Sequence, residues 1–341
     1  MSAQFQGRKL MLGYKASAEQ FGPRQLLDFA VAAENNGFES VWVSDHFQPW
    51  RHTNGHSPFA PAWLGALGER TQRVLMGTSV LTPTFRYAPA VVAQAFGTLG
   101  ALSPGRVILG VGAGESLNEV AATGVDLPAP RERLARLREA VELIRRLWSD
   151  ESVTFDGEYH HTRNATVYDK PAQPIPIYLS AGGPVAAKLA GRLGDGFIVT
   201  SGKGEELYRD QLIPGLEAGA REAGRDPSTI DRMIEVKVSY DTDRQRALDD
   251  TRIWAALALS AEDKAGIDDP REMERRAAGV ADQAHRRWLV SNDPEEHVEQ
   301  IRMYLDSGFN HLVFHAPGDD QARFIELYAR DILPRLRQRW G

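Results

Sequence analysis

Eight short runs of apolar, strand-favouring residues recur along this chain, and helical spacing fills most of the stretches between them. That alternation constrains the fold more than any other feature, because parallel strands need crossovers and are buried on both faces. The runs lie at 9–16, 41–44, 73–82, 106–112, 175–181, 196–200, 233–240 and 311–315. Helical patterns occupy 23–36, 57–69, 89–102, 131–148 and 321–339, the fourth placing Leu134, Leu137, Val141, Ile144 and Trp148 on one face. The pattern predicts an α/β protein, a (β/α)8 TIM barrel in one domain spanning 1–341, with its active site at the carboxyl ends of the strands. Two stretches break the rhythm. Residues 153–169 alternate around Asp156-Gly157 and predict a β-hairpin inserted before the fifth barrel strand. Residues 241–295 are too long for a crossover and predict a helical excursion over the barrel mouth after the seventh strand.

Charge and cysteine content narrow the functions. With 40 basic and 46 acidic side chains, a net charge of -6 and no basic block, nucleic acid is not an expected partner. Cysteine is absent, which removes disulfides, thiolate nucleophiles and cysteine-held metals. The amino terminus lacks the apolar core of a signal peptide, and no run approaches the ~18 apolar residues of a membrane span. The expectation is a cytoplasmic protein that does not engage a membrane.

Familiar ligand motifs fail on spacing. The cluster Gly110-Val-Gly112-Ala-Gly114-Glu115 is not a dinucleotide fingerprint, since Glu115 and Leu117 stand where the third glycine is needed. Gly202-Lys203-Gly204 is not a Walker loop, because Phe197 and Gly204 occupy the first glycine and the hydroxyl positions. His52 and His56 straddle Gly55 in a loop and His160-His161 lies in the hairpin, so no metal is expected.

What remains is a set of polar residues that a barrel would gather at one mouth. The richest stretch is 41–50, where Val-Trp-Val-Ser gives way to Asp45, His46 and, beyond Pro49, Trp50. An acid, a group titrating near neutral pH and a flat wall follow one strand. Glu19 follows the first strand, Ser79 and Thr82 end the third, and Glu115 and Asn118 follow the fourth. Gly182 and Gly183 open a helix whose free N–H groups suit a phosphate, and Thr200 and Lys203 follow the sixth strand.

Several of these stretches are also familiar as a group. Lys15-Ala-Ser-Ala-Glu19-Gln-Phe, Ser44-Asp-His-Phe-Gln-Pro-Trp-Arg-His52, Gly77-Thr-Ser-Val-Leu-Thr-Pro-Thr-Phe-Arg-Tyr87, Thr200-Ser-Gly-Lys-Gly-Glu-Glu-Leu207 and Asn310-His-Leu-Val-Phe-His-Ala-Pro-Gly318 resemble the F420-dependent glucose-6-phosphate dehydrogenases of the luciferase-like superfamily. The resemblance implies a homodimeric barrel that oxidises glucose 6-phosphate at C1 and reduces the deazaflavin coenzyme F420. It places Asp45, Thr82, Ala113, Gly114, Asn118, Gly182, Gly183, Val185 and Ala186 on the coenzyme, with a cis peptide at Ser79-Val80 beside it. Ala113 stands where relatives often carry threonine. Thr200, Lys203, Lys264 and Arg287 fall on the sugar phosphate, and His46 and Glu115 on the acid/base pair, with Trp50 and Glu19 beside them. Lys264 also sits in Ser260-Ala-Glu-Asp-Lys, which reads as a capped helix start. An FMN-dependent luciferase-like monooxygenase and a non-catalytic coenzyme or sugar-phosphate binder are the competing readings.

Overall fold

A computed structural model describes residues 8–341. Residues 1–7, part of the terminus read above as lacking a leader, lie outside the described residues. Strands form, in chain order, at β1 (Met11–Ala16), β2 (Ser40–Val43), β3 (Leu75–Thr78), β4 (Val107–Val111), β5 (Val153–Asp156), β6 (His161–Ala165), β7 (Ile177–Ser180), β8 (Gly196–Thr200), β9 (Asp231–Tyr240), β10 (Leu289–Ser291) and β11 (His311–His315). Only β5 and β6 pair antiparallel; β10 adds in parallel to β9, and the other eight strands pair in parallel and in chain order, β11 returning to β1 to close an eight-stranded barrel. Strand alternation then divides the core. On β9, Met233 joins Trp42, Ile108, Tyr178, Ile198 and Val313 in one apolar cluster, while Ile234, Val236 and Val238 belong to the larger one beneath the helices. Glu235 and Lys237 continue the Met233 face toward the carboxyl end of the strand.

Helices start where the chain supplies proline in the first turn, as at Pro23–Asn35 and Pro89–Leu102. Glu34, buried on the first of these, accepts from the backbone N–H groups of Gln72, Arg73 and Val74 and so fixes the entry to β3. Proline also shapes two later helices. The chain widens into π turns at Leu207–Leu212 and Tyr328–Ile332, each just ahead of a proline-bearing helix start at Pro214 or Pro334. Among the described residues no helix is long and apolar enough to cross a membrane.

The departures from expectation are local. β3 ends at Thr78 instead of 82; the Ser79–Val80 peptide bond is cis, and Leu81 rejoins β4 through a single bridge to Val111. The helix expected at 57–69 runs Ala60–Arg70, because the Ser57 hydroxyl donates to the His46 carbonyl and holds the preceding chain out of the helix. The hairpin turns through residues 157–160, with Asp156 paired to His161, so Asp156 ends a strand and does not form a two-residue turn; a register shift falls further back, between Val153 and Phe155. Helix Ser116–Thr123 was not signalled by periodicity. Helical pieces cover most of 241–295, and the three-residue β10 adds a strand that pairs with the end of β9. The excursion carries its own small core of Leu259, Ile267, Met273 and several alanines, and Trp50 packs against it.

Candidate active site

β2 delivers the site's central residue, and its neighbours hold the loop that follows. The buried Asp45 carboxylate accepts from Arg86 at 3.0 Å and from the Tyr87 hydroxyl at 3.0 and 3.2 Å. Arg86 also donates to the Asp45 carbonyl at 2.7 Å and pairs with buried Glu119 at 3.3 Å. Burial nevertheless keeps the Glu119 carboxyl above its ordinary value. Asn118 accepts from Phe47 N at 2.7 Å and Gln48 N at 3.2 Å through Oδ1, while its Nδ2 donates to Glu115 at 2.7 Å. Asp45 and Asn118, expected as coenzyme contacts, line the cavity but have these protein partners.

The result is an imidazole held between two carboxylates. His46 Nε2 lies 3.4 Å from Glu19 Oε1 and 3.6 Å from Glu115 Oε1, and its buried Nδ1 has no hydrogen-bond partner. Burial opposes ionisation of Glu19, but His46, Lys15 and the Ser44 hydroxyl, which donates at 2.7 Å, outweigh it and hold the carboxyl below its usual value. The Glu115 side chain is 39% exposed. Trp50 stands 6.1 Å from the His46 ring, centre to centre, and Lys264 Nζ is 5.8 Å from the Trp50 ring centre.

Two connected cavities meet at His46 and Trp50. One, of about 630 Å³, runs past Val80, Thr82, Ala113, Gly114, Arg133 and Ala186. Arg133 donates to the Gly114 carbonyl at 2.6 Å, and its buried Nε has no partner. At the far end, Gly183 precedes helix Pro184–Leu193 without any side-chain cap, and a Cβ on Gly183 would touch nothing within 4 Å. Val185 in that helix is 71% exposed and lines neither cavity. The other cavity, of about 320 Å³, reaches Thr200 and a buried ionic floor.

That floor escaped the sequence reading. Lys15 donates to the Ser79 carbonyl at 3.0 Å and to its hydroxyl at 2.7 Å, and pairs with Glu235 at 3.2 Å. Glu235 also faces Lys237 at 3.6 Å and His315 at 3.2 Å. Burial works against it, yet Lys15, Lys237 and His315 hold the Glu235 carboxyl well below the carboxylate range. The available signal was the inward register of Glu235 and Lys237, two residues apart on a strand whose other face is apolar. Arg86, Tyr87 and Arg133 were likewise missed.

Beside this floor stand three cations. Burial, and next the charge of Arg287, lower the pKa values of both Lys203 and Lys264; Glu115 pulls Lys264 the other way. Among the described residues Lys203, Lys264 and Arg287 have no acidic partner within 4.0 Å, and Arg287 Nε is buried without a partner. The Tyr208 hydroxyl donates to the Thr200 carbonyl at 3.0 Å and accepts from Lys203 N at 3.2 Å, which fixes the loop carrying Lys203. The Ser260 cap expected near Lys264 forms too, its hydroxyl accepting from Asp263 N at 3.0 Å, so capping and a place near Trp50 coexist.

The luciferase-like monooxygenase family matches residues 9–311. The chain belongs to that family. Among its luciferase-like relatives, an F420-dependent glucose-6-phosphate dehydrogenase of Intrasporangium calvum is 63% identical over 331 residues, covering 96% of this chain and 99% of that one. The enzyme of the same name from Mycolicibacterium smegmatis is 60% identical over 333 residues, covering 97% and 99%. A solved F420-dependent secondary alcohol dehydrogenase, in complex with an F420-acetone adduct, superposes with a TM-score of 0.90 at 38% identity, covering 95% of this chain and 98% of that one.

Proposed function

We propose that this luciferase-like chain oxidises glucose 6-phosphate, or a related sugar 6-phosphate, at C1 to 6-phosphogluconolactone, with coenzyme F420 as hydride acceptor. One observation carries the reading: three cations without acid partners stand in the same mouth as a histidine held between two carboxylates. Clustered like charges are unfavourable unless an anion joins them, and a phosphate remote from C1 is such an anion.

The residues present fit the coenzyme. The longer cavity has the unpartnered Arg133 Nε in its wall, and beyond it lie the open Gly182-Gly183 backbone and an uncapped helix start, all suited to a phosphate-bearing side chain. Asp45, Ser79, Thr82, Ala113, Gly114, Asn118 and Gly182 would hold it along the cavity, and Gly183, Val185 and Ala186 would do so through the backbone of the uncapped helix start. When bound, the deazaflavin ring supplies the hydride acceptor.

The protein's own part is proton handling and placement. His46 Nε2 takes the C1 hydroxyl proton as the hydride leaves, and ionised Glu19 stabilises the imidazolium that results. Such a base contributes roughly 10²- to 10⁴-fold, or about 3 to 5 kcal/mol of barrier. Glu115, held by Asn118, would donate the proton needed on the acceptor side, distinct from the one His46 takes from the sugar. Trp50 walls both cavities and excludes water. Thr200, Lys203, Lys264 and Arg287 bind the phosphate, so remote binding energy holds C1 in place.

The family's name favours a second reading, an FMN-dependent monooxygenase, in which three acid-free cations have no evident task. A non-catalytic binder would have no use for a histidine between carboxylates. A homodimer, implied by the resemblance, and a cytoplasmic location, expected from the cysteine-free sequence, are part of the proposal, and sedimentation reads the oligomeric half. The deciding experiment mixes the protein with oxidised F420 and glucose 6-phosphate and follows the deazaflavin's visible absorbance. Loss of absorbance matching the sugar oxidised is expected. Turnover with FMN and oxygen instead, or coenzyme binding without absorbance loss, would overturn the reading.

A further inference from the structure

Behind Lys203, Lys264 and Arg287 lies a fourth cation. Lys237 is buried on β9; its Nζ donates to Thr200 Oγ1 and stands 3.6 Å from Glu235, and both Lys237 and Thr200 line the smaller cavity. An ammonium has donors and no acceptor, so the Thr200 oxygen must accept in this pair. The single hydroxyl hydrogen of Thr200 is therefore turned elsewhere, and among the described residues nothing accepts it. Thr200 is also fixed through its backbone, because Tyr208 donates to its carbonyl. Lys237 is fixed in turn by its own N–H, which donates to the Ser201 hydroxyl at 2.8 Å.

We infer that Lys237 is a specificity-determining residue for the anionic end of the substrate: it sets the Thr200 hydroxyl as a donor into the cavity and places a buried positive charge behind it. The inference rests on the sugar-phosphate reading above. The charged and titratable groups around Lys237 support it. Glu235 on the same strand is shared with Lys15 from β1 and His315 from β11, so one carboxylate serves two ammonium groups. Arg287 acts from the turn Ala281–Arg287. Burial is the main cause that pushes Lys237 down to about 8; Glu235 opposes it, and Arg287 and Lys15 add to it. An arriving dianion supplies the negative charge this group lacks, and an uncharged sugar does not. Lys237 is a positioning residue for Thr200, and its effect belongs in substrate affinity.

The test measures binding of glucose 6-phosphate and of inorganic phosphate by calorimetry, and kcat and KM with F420, for the parent, Lys237→Met, Thr200→Val and the double variant. Lys237→Met should raise the glucose 6-phosphate Kd and KM by about 10- to 100-fold. It should leave kcat and F420 affinity nearly unchanged. Adding Thr200→Val should cost little more, since the two groups act as one unit. Unaltered affinity in Lys237→Met overturns the inference, as does a fall in kcat at constant KM. If the parent itself does not bind glucose 6-phosphate, the proposed function fails, and inorganic phosphate then decides about Lys237: equal Kd values for parent and variant overturn it. Thermal melting checks folding. Should Lys237→Met not fold, Thr200→Ser must keep and Thr200→Val must lose sugar-phosphate affinity; equal binding by the two overturns the inference.

Discussion

Replacing Asn118 by alanine should weaken both the fold and the turnover, because one side chain ties the His46 loop to Glu115. Three hydrogen bonds disappear, to Phe47 N, Gln48 N and Glu115. The first two are worth about 0.5 to 1.5 kcal/mol each and the charge-assisted one about 1.5 to 3. Rehydration of the exposed side of Glu115 recovers part of this, so the expected loss is about 2 to 4 kcal/mol. With an unfolding entropy of about 2.1 cal/mol/K per residue, that lowers Tm by about 3 to 6 °C for a chain of this length. Asn118→Asp separates the two roles. It keeps an acceptor for Phe47 and Gln48 but sets a second carboxylate where a donor lay 2.7 Å from Glu115, so the pair retains a proton to higher pH. Calorimetric melting should therefore place Asn118→Asp above Asn118→Ala, while the alkaline limb of its kcat profile moves to higher pH than the parent's. An alanine variant that melts with the parent and turns over at the parent's rate would refute the reasoning.

His46→Ala should lower kcat by roughly 10²- to 10⁴-fold while F420 still binds, read by steady-state kinetics and deazaflavin fluorescence; full activity removes His46 as the base. Lys203→Ala should raise KM for glucose 6-phosphate by about tenfold and leave coenzyme affinity alone; an unchanged KM removes its assigned role. Acid stability follows from Glu34 and Glu235, whose folded carboxyls are held below their ordinary values: for Glu34 burial opposes this and the N–H groups of Val74, Arg73 and Gln72 prevail. Because the folded pKa is the lower one, the stabilisation is complete above the unfolded value near about 4.3 and is lost as pH falls through the folded value. The share of stability these two carboxylates supply should thus hold steady from neutral pH down to about 5 and fall below that, on top of the loss from buried His297, whose folded pKa is pushed down to about 3 and whose cost begins as pH drops through the unfolded histidine value of about 6.5. Glu34→Gln should melt lower at neutral pH and lose less on acidification; an acid slope identical to the parent's contradicts the account.

The barrel was legible because a strand buried on both faces must be apolar almost throughout, and eight such runs leave few alternatives. The mouth was legible where a strand broke abruptly, as at Ser44-Asp45-His46, or where glycine marked a turn, as at Gly202 with its φ of +80°. The floor was hidden for the converse reason. Lys15, Glu235, Lys237 and His315 lie inside strands, where an apolar reading absorbs single polar residues, and only their two-residue spacing along each strand, from Met233 to Glu235 and Lys237 and from Val313 to His315, marks them as facing inward. Arg86 and Tyr87 lie in irregular chain, and nothing local ties them to Asp45, 41 and 42 residues away. β10 is three residues long and exists only because the end of β9 offers it a partner. Short pairings of that kind are set by tertiary context and leave no periodicity to read.

The central claim is that the mouth aligns a sugar C1 for direct hydride delivery while His46 removes the hydroxyl proton. Glucose 6-phosphate deuterated at C1, turned over with oxidised F420 and analysed by mass spectrometry and NMR, tests it most directly. The account predicts one deuteron on the reduced coenzyme for each lactone formed. Deuterium released to water, or turnover that leaves the coenzyme unlabelled, would contradict it.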